Sequence, residues 1–156
     1  MNIRAIVPLG AAAIVTALYL AGGGIASADP VSKDEAVAMV QKAVASIKSE
    51  GAEKAYAEIS NPSGKFVDRD LYIVVYGLDG LVLAHGANGS RVGTNQIDDK
   101  DPDGKAFVKE RVELAKQQPS FWQTYKFMNP VTKKVEPKQM YCERLAETAV
   151  CGGIYQ

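Results

Sequence analysis

The segment of residues 71–85 limits the possible folds of this chain more than any other. It contains two runs rich in β-branched and aromatic residues, and Asp79-Gly80 separates them. An Asp-Gly pair adopts the positive φ angles that a tight turn requires, so the segment predicts an antiparallel β-hairpin. Helical patterns precede the hairpin, and a loop, a helix and further strands follow it. We therefore expect one antiparallel sheet with helices attached to it.

The N-terminal segment has the pattern of a secretory signal peptide. Arg4 gives a positive start, residues 5–20 are almost wholly apolar, and Ala26-Ser27-Ala28 offers the small residues that a signal peptidase reads. We expect cleavage after Ala28, which leaves a periplasmic or secreted domain of residues 29–156. The alternative is an uncleaved membrane anchor, because the apolar run approaches the roughly 20 residues that span a bilayer.

The charge balance argues against nucleic acid as a partner. The chain has 156 residues with 18 basic and 18 acidic side chains, and removal of the leader takes away Arg4 but no acid. A chain so close to neutrality creates no field that would attract a phosphate backbone.

The two cysteines, Cys142 and Cys151, are expected to form a disulfide. A hairpin that pairs residues 140–145 with residues 148–155 around Ala146-Glu147 places the two sulfurs opposite each other on adjacent strands. Export to an oxidising compartment favours the bond. The alternative is a redox-active pair, but the Cys-x-x-Cys spacing that lowers a thiol pKa is absent from the sequence.

The remaining patterns complete an α+β order. Ser32 and Glu35 form a capping box at the start of a helical region of residues 29–59, which Gly51 divides. The following list gives the other predicted segments: a long polar loop at 86–103, a helix at 104–118, and strands at 122–127, 137–145 and 149–155. Together with the hairpin, they predict a five-stranded antiparallel sheet with a helical layer.

Several short segments, taken in their order and spacing, are typical of one known family. They are residues 68–85, Asp101-Pro102-Asp103-Gly104-Lys105 before Phe107 and Val108, residues 122–125, Asn129-Pro130-Val131-Thr132, Glu136-Pro137-Lys138, Tyr141, and Gly153-Ile154-Tyr155. In this pattern the chain resembles the single Cache domain family, the PAS-like extracytoplasmic sensor modules of bacterial histidine kinases and chemoreceptors. The resemblance implies a PAS-like sheet with a long N-terminal helix and a loop-helix insertion over the sheet. It also implies a pocket between the sheet and that insertion for organic acids, amino acids or similar metabolites.

The expected function is binding or sensing of a small molecule, without catalysis. No Gly-x-Ser-x-Gly elbow, P-loop or haem-attachment signature occurs, and the sequence has a single His. Because no transmembrane exit, kinase or methyl-accepting region follows the last strand, we expect a separate membrane receptor or kinase to provide the output. The alternatives are a periplasmic interaction module that regulates a separate membrane protein and a hydrolase of unrecognised type.

The expected ligand is a small anionic metabolite, most simply a short carboxylate. Its predicted binding residues are His85, Arg111, Trp122, Tyr125, Lys138 and Tyr141. Arg111 falls on the apolar side of its helix, where a guanidinium requires an acid partner or an anionic ligand, unless it snorkels to the edge. His85 either lines the pocket or caps its strand. The three aromatic residues belong either to the sheet core or to an aromatic box beside Lys138.

A calcium site is the remaining alternative. The EF-hand pattern is matched by Asp99, Asp101, Asp103, Gly104 and Glu110. However, no good helix precedes Asp99, and Pro102 stiffens the loop. We therefore expect neither a metal nor a cofactor.

Overall fold

The computed structural model describes residues 29–156, so the predicted signal peptide lies outside the described residues. The helices of this range are α1 (Lys33–Glu50), α2 (Ala52–Ile59) and α3 (Phe107–Gln117). The strands are β1 (Val67–Asp68), β2 (Leu71–Gly77), β3 (Val82–His85), β4 (Ser120–Met128), β5 (Val135–Leu145) and β6 (Thr148–Tyr155). A short 3-10 helix, Gly89–Arg91, follows β3. Within residues 29–156, no helix combines the length and the apolar character needed to cross a bilayer.

The predicted hairpin is confirmed. β2 and β3 pair antiparallel, with Val74 opposite His85. The turn closes through the Gly77 amide, which donates to the Leu81 carbonyl at 2.8 Å. Gly80 has a φ of 89°, which a residue with a side chain rarely adopts. Gly80 thus has the positive φ that the sequence predicts, whereas Asp79 has a negative φ and instead accepts the Leu81 amide through its side chain at 3.0 Å.

The described strands form one antiparallel sheet, as expected. β1 and β3 pair with successive parts of one edge of β2, and β6, β5 and β4 follow in that order on its other side. All five predicted strands are present, and the two-residue β1 is an addition. The predicted α+β class is thus confirmed.

The two faces of the sheet carry different side chains. Against α1 and α2 the core is mainly aliphatic and includes Val40, Ala43, Ile47, Ile73, Val75 and Val150. Against α3 and the long loop it is rich in aromatic rings, which come from Tyr72, Tyr76, Phe107, Tyr125, Phe127 and Tyr155. The aliphatic face gives the sheet a close-packed support, whereas the aromatic face encloses polar side chains.

The helix boundaries follow local capping chemistry. The predicted capping box is present, since the Glu35 amide donates to the Ser32 hydroxyl and the Glu35 carboxylate accepts from the Ser32 amide. The loop helix begins at Phe107, three residues later than predicted. The cause is Asp101, whose Oδ1 accepts the amides of Asp103 and Lys105 at 3.0 and 2.9 Å and holds these residues in a turn.

The predicted disulfide is confirmed as well. Cys142 on β5 and Cys151 on β6 are register partners and are bonded to each other. Both side chains are completely buried. The bond therefore joins β5 and β6 on the aromatic face of the sheet.

We expect the double variant Cys142→Ala/Cys151→Ala to lose about 2 to 3 kcal/mol of unfolding free energy, because the bond closes a short loop in the unfolded chain. Urea denaturation of the variant and of oxidised wild type measures the difference. Reduced wild type serves as the control and should lose a similar amount. A double variant as stable as the oxidised protein would contradict the prediction.

Candidate ligand-binding site

Strand alternation places the predicted site residues on two different faces. Tyr125 and Lys138 are register partners and lie on the aromatic face. Trp122 and Tyr141 are also partners, with ring centroids 5.3 Å apart, but they lie on the opposite face, where the Lys33 ammonium sits 5.2 Å from the Trp122 ring. Successive side chains of a strand point to opposite faces, so the expected aromatic box of Trp122, Tyr125 and Tyr141 does not form.

Lys138 is buried without any exposed surface. Its Nζ lies 4.0 Å from the ring centroid of Tyr72 and 4.5 Å from that of Tyr155, and it donates to the Tyr155 hydroxyl at 3.2 Å. The stem fits because β6 has a glycine beside it: a Cβ on Gly153 would lie 2.7 Å from Lys138 Cε. Burial, followed by the charge of Arg111, holds the pKa of Lys138 well below its ordinary value.

Arg111 is also fully buried, so it does not snorkel. Its guanidinium carbon lies 5.0 Å from the ring centroids of Tyr76 and Tyr125 and 5.5 Å from that of Phe107. Its Nε donates to Gln123 Oε1 at 3.1 Å, whereas both terminal nitrogens lack a hydrogen-bond partner. The fork of this guanidinium therefore has two buried donors without a partner.

No carboxylate neutralises either buried cation. Within residues 29–156, every ion pair closer than 4.0 Å involves other side chains. An isolated charge in a protein interior is costly unless a counter-charge and hydrogen bonds accompany it. The aromatic rings offset part of this cost through cation–π contacts. The arrangement therefore favours the entry of an anion.

His85 both caps its strand and borders the site. Its Nδ1 accepts the backbone amides of Ala87 and Asn88 at 3.2 and 3.0 Å, and its ring stacks on Tyr72 with centroids 5.1 Å apart. Burial, with Lys138 as the next cause, lowers the pKa of His85 to about 3. The imidazole is therefore neutral near pH 7.

A cleft of about 280 Å³ opens beside Tyr72, whose ring centroid lies 4.0 Å from Lys138 Nζ. Its lining comprises Tyr72, His85, Ala87, Asn88, Arg91, Phe127, Met128, Pro130 and Lys133. Two larger clefts, of about 510 and 400 Å³, lie elsewhere on the described surface, but neither is lined by Tyr72 or Phe127, whose ring centroids lie 4.0 and 5.8 Å from Lys138 Nζ. The contact of its lining rings with buried Lys138, and not its size, therefore identifies this cleft as the candidate ligand site.

Sequence reasoning missed part of this site. The Arg91 guanidinium lies 5.1 Å from the centroid of the Phe127 ring, and Tyr72 and Tyr155 enclose Lys138. Arg91 lies in the long polar loop predicted at residues 86–103, and loops of that length are often functional. Tyr72 could have been found from alternation, since it shares a face with Tyr76 in a strand that is buried throughout.

The acids of the EF-hand pattern do not converge. Each has separate contacts: Asp99 with Arg91, Asp101 with three backbone amides, Asp103 with Lys126, and Glu110 with Lys105. In the described part of the chain, no group of three or more His, Cys, Asp or Glu side chains could hold a metal ion. The geometry gives the calcium alternative no support.

The sequence matches the family described as Single Cache domain 2 over residues 26–151. The chain belongs to this family. Among curated proteins, none matches it at a significant level.

Three solved structures share the fold of this Cache domain. A methyl-accepting chemotaxis protein from Vibrio parahaemolyticus has a TM-score of 0.68 at 22% identity, over 79% of this chain and 87% of its own. A Cache chemosensory domain studied for its carboxylic acid recognition has a TM-score of 0.66 at 21% identity, over 78% and 91%. The periplasmic sensor domain of a chemotaxis protein has a TM-score of 0.63 at 20% identity, over 78% and 88%.

We expect Lys138→Met to stabilise the ligand-free domain, because it replaces a buried amine that has no acid partner with an apolar side chain of similar length. The folded-state pKa of Lys138 is lowered, so the unfolded state binds more protons between that value and about pH 10. Wild-type stability should therefore rise with pH in this window, by at most about 1.4 kcal/mol per pH unit.

Urea denaturation between pH 6 and 9 measures both effects. Lys138→Met should be more stable at pH 6 and should lose the rise with pH. Lys100→Met, at an exposed loop position, is the matched control and should leave both unchanged. Destabilisation by Lys138→Met at every pH would show that the cation stabilises the fold.

Proposed function

We propose that this Cache domain binds a small carboxylate between Arg111 and Lys138 and serves as an extracytoplasmic sensing domain. One observation carries the proposal: the described core contains two fully buried basic side chains with no carboxylate within 4.0 Å, and one of them has two donors without a partner. His85 and Tyr125 complete the proposed site, in agreement with the sequence prediction.

The chemistry of a carboxylate matches this arrangement. Its two oxygens fit the planar fork of a guanidinium, and an ammonium adds a point charge from a second direction. The surrounding rings exclude water, which strengthens charge-assisted hydrogen bonds. A cleft of about 280 Å³ lies just below the roughly 300 to 1,000 Å³ typical of ligand pockets, so it suits a ligand of few heavy atoms.

The family supports a sensory role. The structural neighbours include a chemosensory domain for carboxylic acids and a periplasmic sensor domain. The predicted signal peptide of residues 1–28 agrees with an extracytoplasmic location. We propose binding and not catalysis, with a membrane receptor or kinase as the partner that reads the bound state.

A thermal-shift screen with acetate, propionate, pyruvate and succinate tests the proposal, since a ligand that binds only the native state raises the midpoint. Calorimetry then measures Arg111→Lys, which keeps the charge but loses the fork, and Lys138→Met. Loss of a charge-assisted bond is worth roughly 1.5 to 3 kcal/mol, so each change should weaken binding about ten-fold to a hundred-fold.

Lys100→Met is again the control and should bind as wild type does. Unchanged affinity in both site variants would refute the proposed site. A best ligand that is neutral or cationic would refute the proposed ligand class.

A further inference from the structure

The hydrogen bonds of His85 fix the position of its ring proton. Nδ1 accepts two backbone amides, from Ala87 and Asn88, so it cannot carry a proton without breaking both bonds. A neutral imidazole with an unprotonated Nδ1 has its proton on Nε2. His85 is only 3% exposed and stacks on Tyr72, which holds the ring in this orientation.

Nε2 is the ring atom left for a ligand. Within the described residues it has no hydrogen-bond partner, and His85 is among the residues that line the cleft. An N–H at this position can donate to an oxygen, but it cannot accept a bond from an ammonium group. The two hydrogen bonds to Nδ1 therefore determine that His85 can donate to a ligand oxygen but cannot accept from a ligand donor.

The charged side chains that line the cleft are both basic, and the acid that pairs with one of them, Asp99 with Arg91 at 3.5 Å, does not line it. Arg91 and Lys133 line it, and Arg111 and Lys138 lie in the aromatic layer beside it. No aspartate or glutamate is among its lining residues. Asp70 is the acid whose charge acts to raise the pKa of Lys138. Its carboxylate accepts a bond from Asn129 Nδ2 at 3.2 Å, and it does not line the cleft.

Two side-chain acceptors near the cleft are already engaged. The Tyr155 hydroxyl accepts from Lys138 and donates to the Met128 carbonyl at 2.9 Å. Asn88 Oδ1 accepts both the amide and the hydroxyl of Ser90. A ligand ammonium would therefore lose its water among basic side chains and find no acid among the residues that line the cleft.

We propose that His85 is a specificity-determining residue, fixed as an Nε2–H donor to the bound carboxylate, and that this donor-lined cleft rejects amino acids. The inference rests on the proposed function, because it concerns the same ligand. It narrows the ligand class to carboxylates without an ammonium group.

Nitrogen NMR of the imidazole tests which ring nitrogen of His85 carries the proton in ligand-free protein, because protonated and unprotonated ring nitrogens have different chemical shifts. The expected result is the Nε2–H form throughout pH 5 to 8. A proton on Nδ1, or titration to the imidazolium near the ordinary pKa of about 6.5, would overturn the inference.

Calorimetry with propionate and alanine tests the specificity, since the two differ by a single ammonium group. Propionate should bind at least about a hundred-fold more tightly, as expected for an unpaired charge in a desolvated site. Equal affinities for the two probes would show that the cleft does not discriminate in this way.

Two variants separate the roles of the ring nitrogens. His85→Asn keeps an acceptor near Nδ1 for the loop amides but has no group at Nε2, so propionate should bind about ten-fold more weakly. His85→Gln places an amide nitrogen near the Nε2 position and should restore most of the affinity. Thermal midpoints without ligand verify that both variants fold.

The possible failures are distinguishable. If wild type binds no carboxylate, the proposed function is wrong and this inference falls with it. If propionate binding depends on Arg111 and Lys138 but is unchanged in His85→Asn, the proposed function stands and the role of His85 is wrong.

Discussion

The burial of Arg111 and Lys138 without a carboxylate partner is the constraint on which the site depends. Aromatic rings surround both cations, and a few neutral hydrogen bonds hold them in place. Cation–π contacts and neutral acceptors offset only part of the cost of removing a charge from water. The fold therefore tolerates a locally unfavourable arrangement, which is common where a protein reserves groups for a ligand.

The rest of the structure holds this arrangement rigid. The Cys142–Cys151 bond joins the strands that carry Lys138 and Tyr155, which are themselves register partners. On the edge strand β4, the Lys126 amide donates to Asp101 at 3.1 Å. This bond attaches the long loop, which contains Asp101, to the edge of the sheet. The loop, the edge strand and the buried cations are thus parts of one supporting structure.

The sequence predicted those features whose cause is local. Asp79-Gly80 identified the hairpin because few other residue pairs adopt the required turn. The register of Cys142 and Cys151 followed from counting residues across a two-residue turn. The position of Arg111 on an apolar helix face indicated a buried cation. The aromatic box was wrong because Trp122 and Tyr125 are three positions apart, and strand alternation places residues an odd number of positions apart on opposite faces.

By itself, the sequence determined the order of helices and strands, the main turn, the disulfide and the family resemblance, since these depend on local periodicity and on neighbours along the chain. Only the tertiary structure decided which charges stay unpaired, because pairing depends on elements that are distant in sequence. Arg91 reaches the site from the loop, and Tyr72 reaches it from another strand. The proton position on His85 likewise depends on how the chain turns after β3 and presents two amides to one nitrogen.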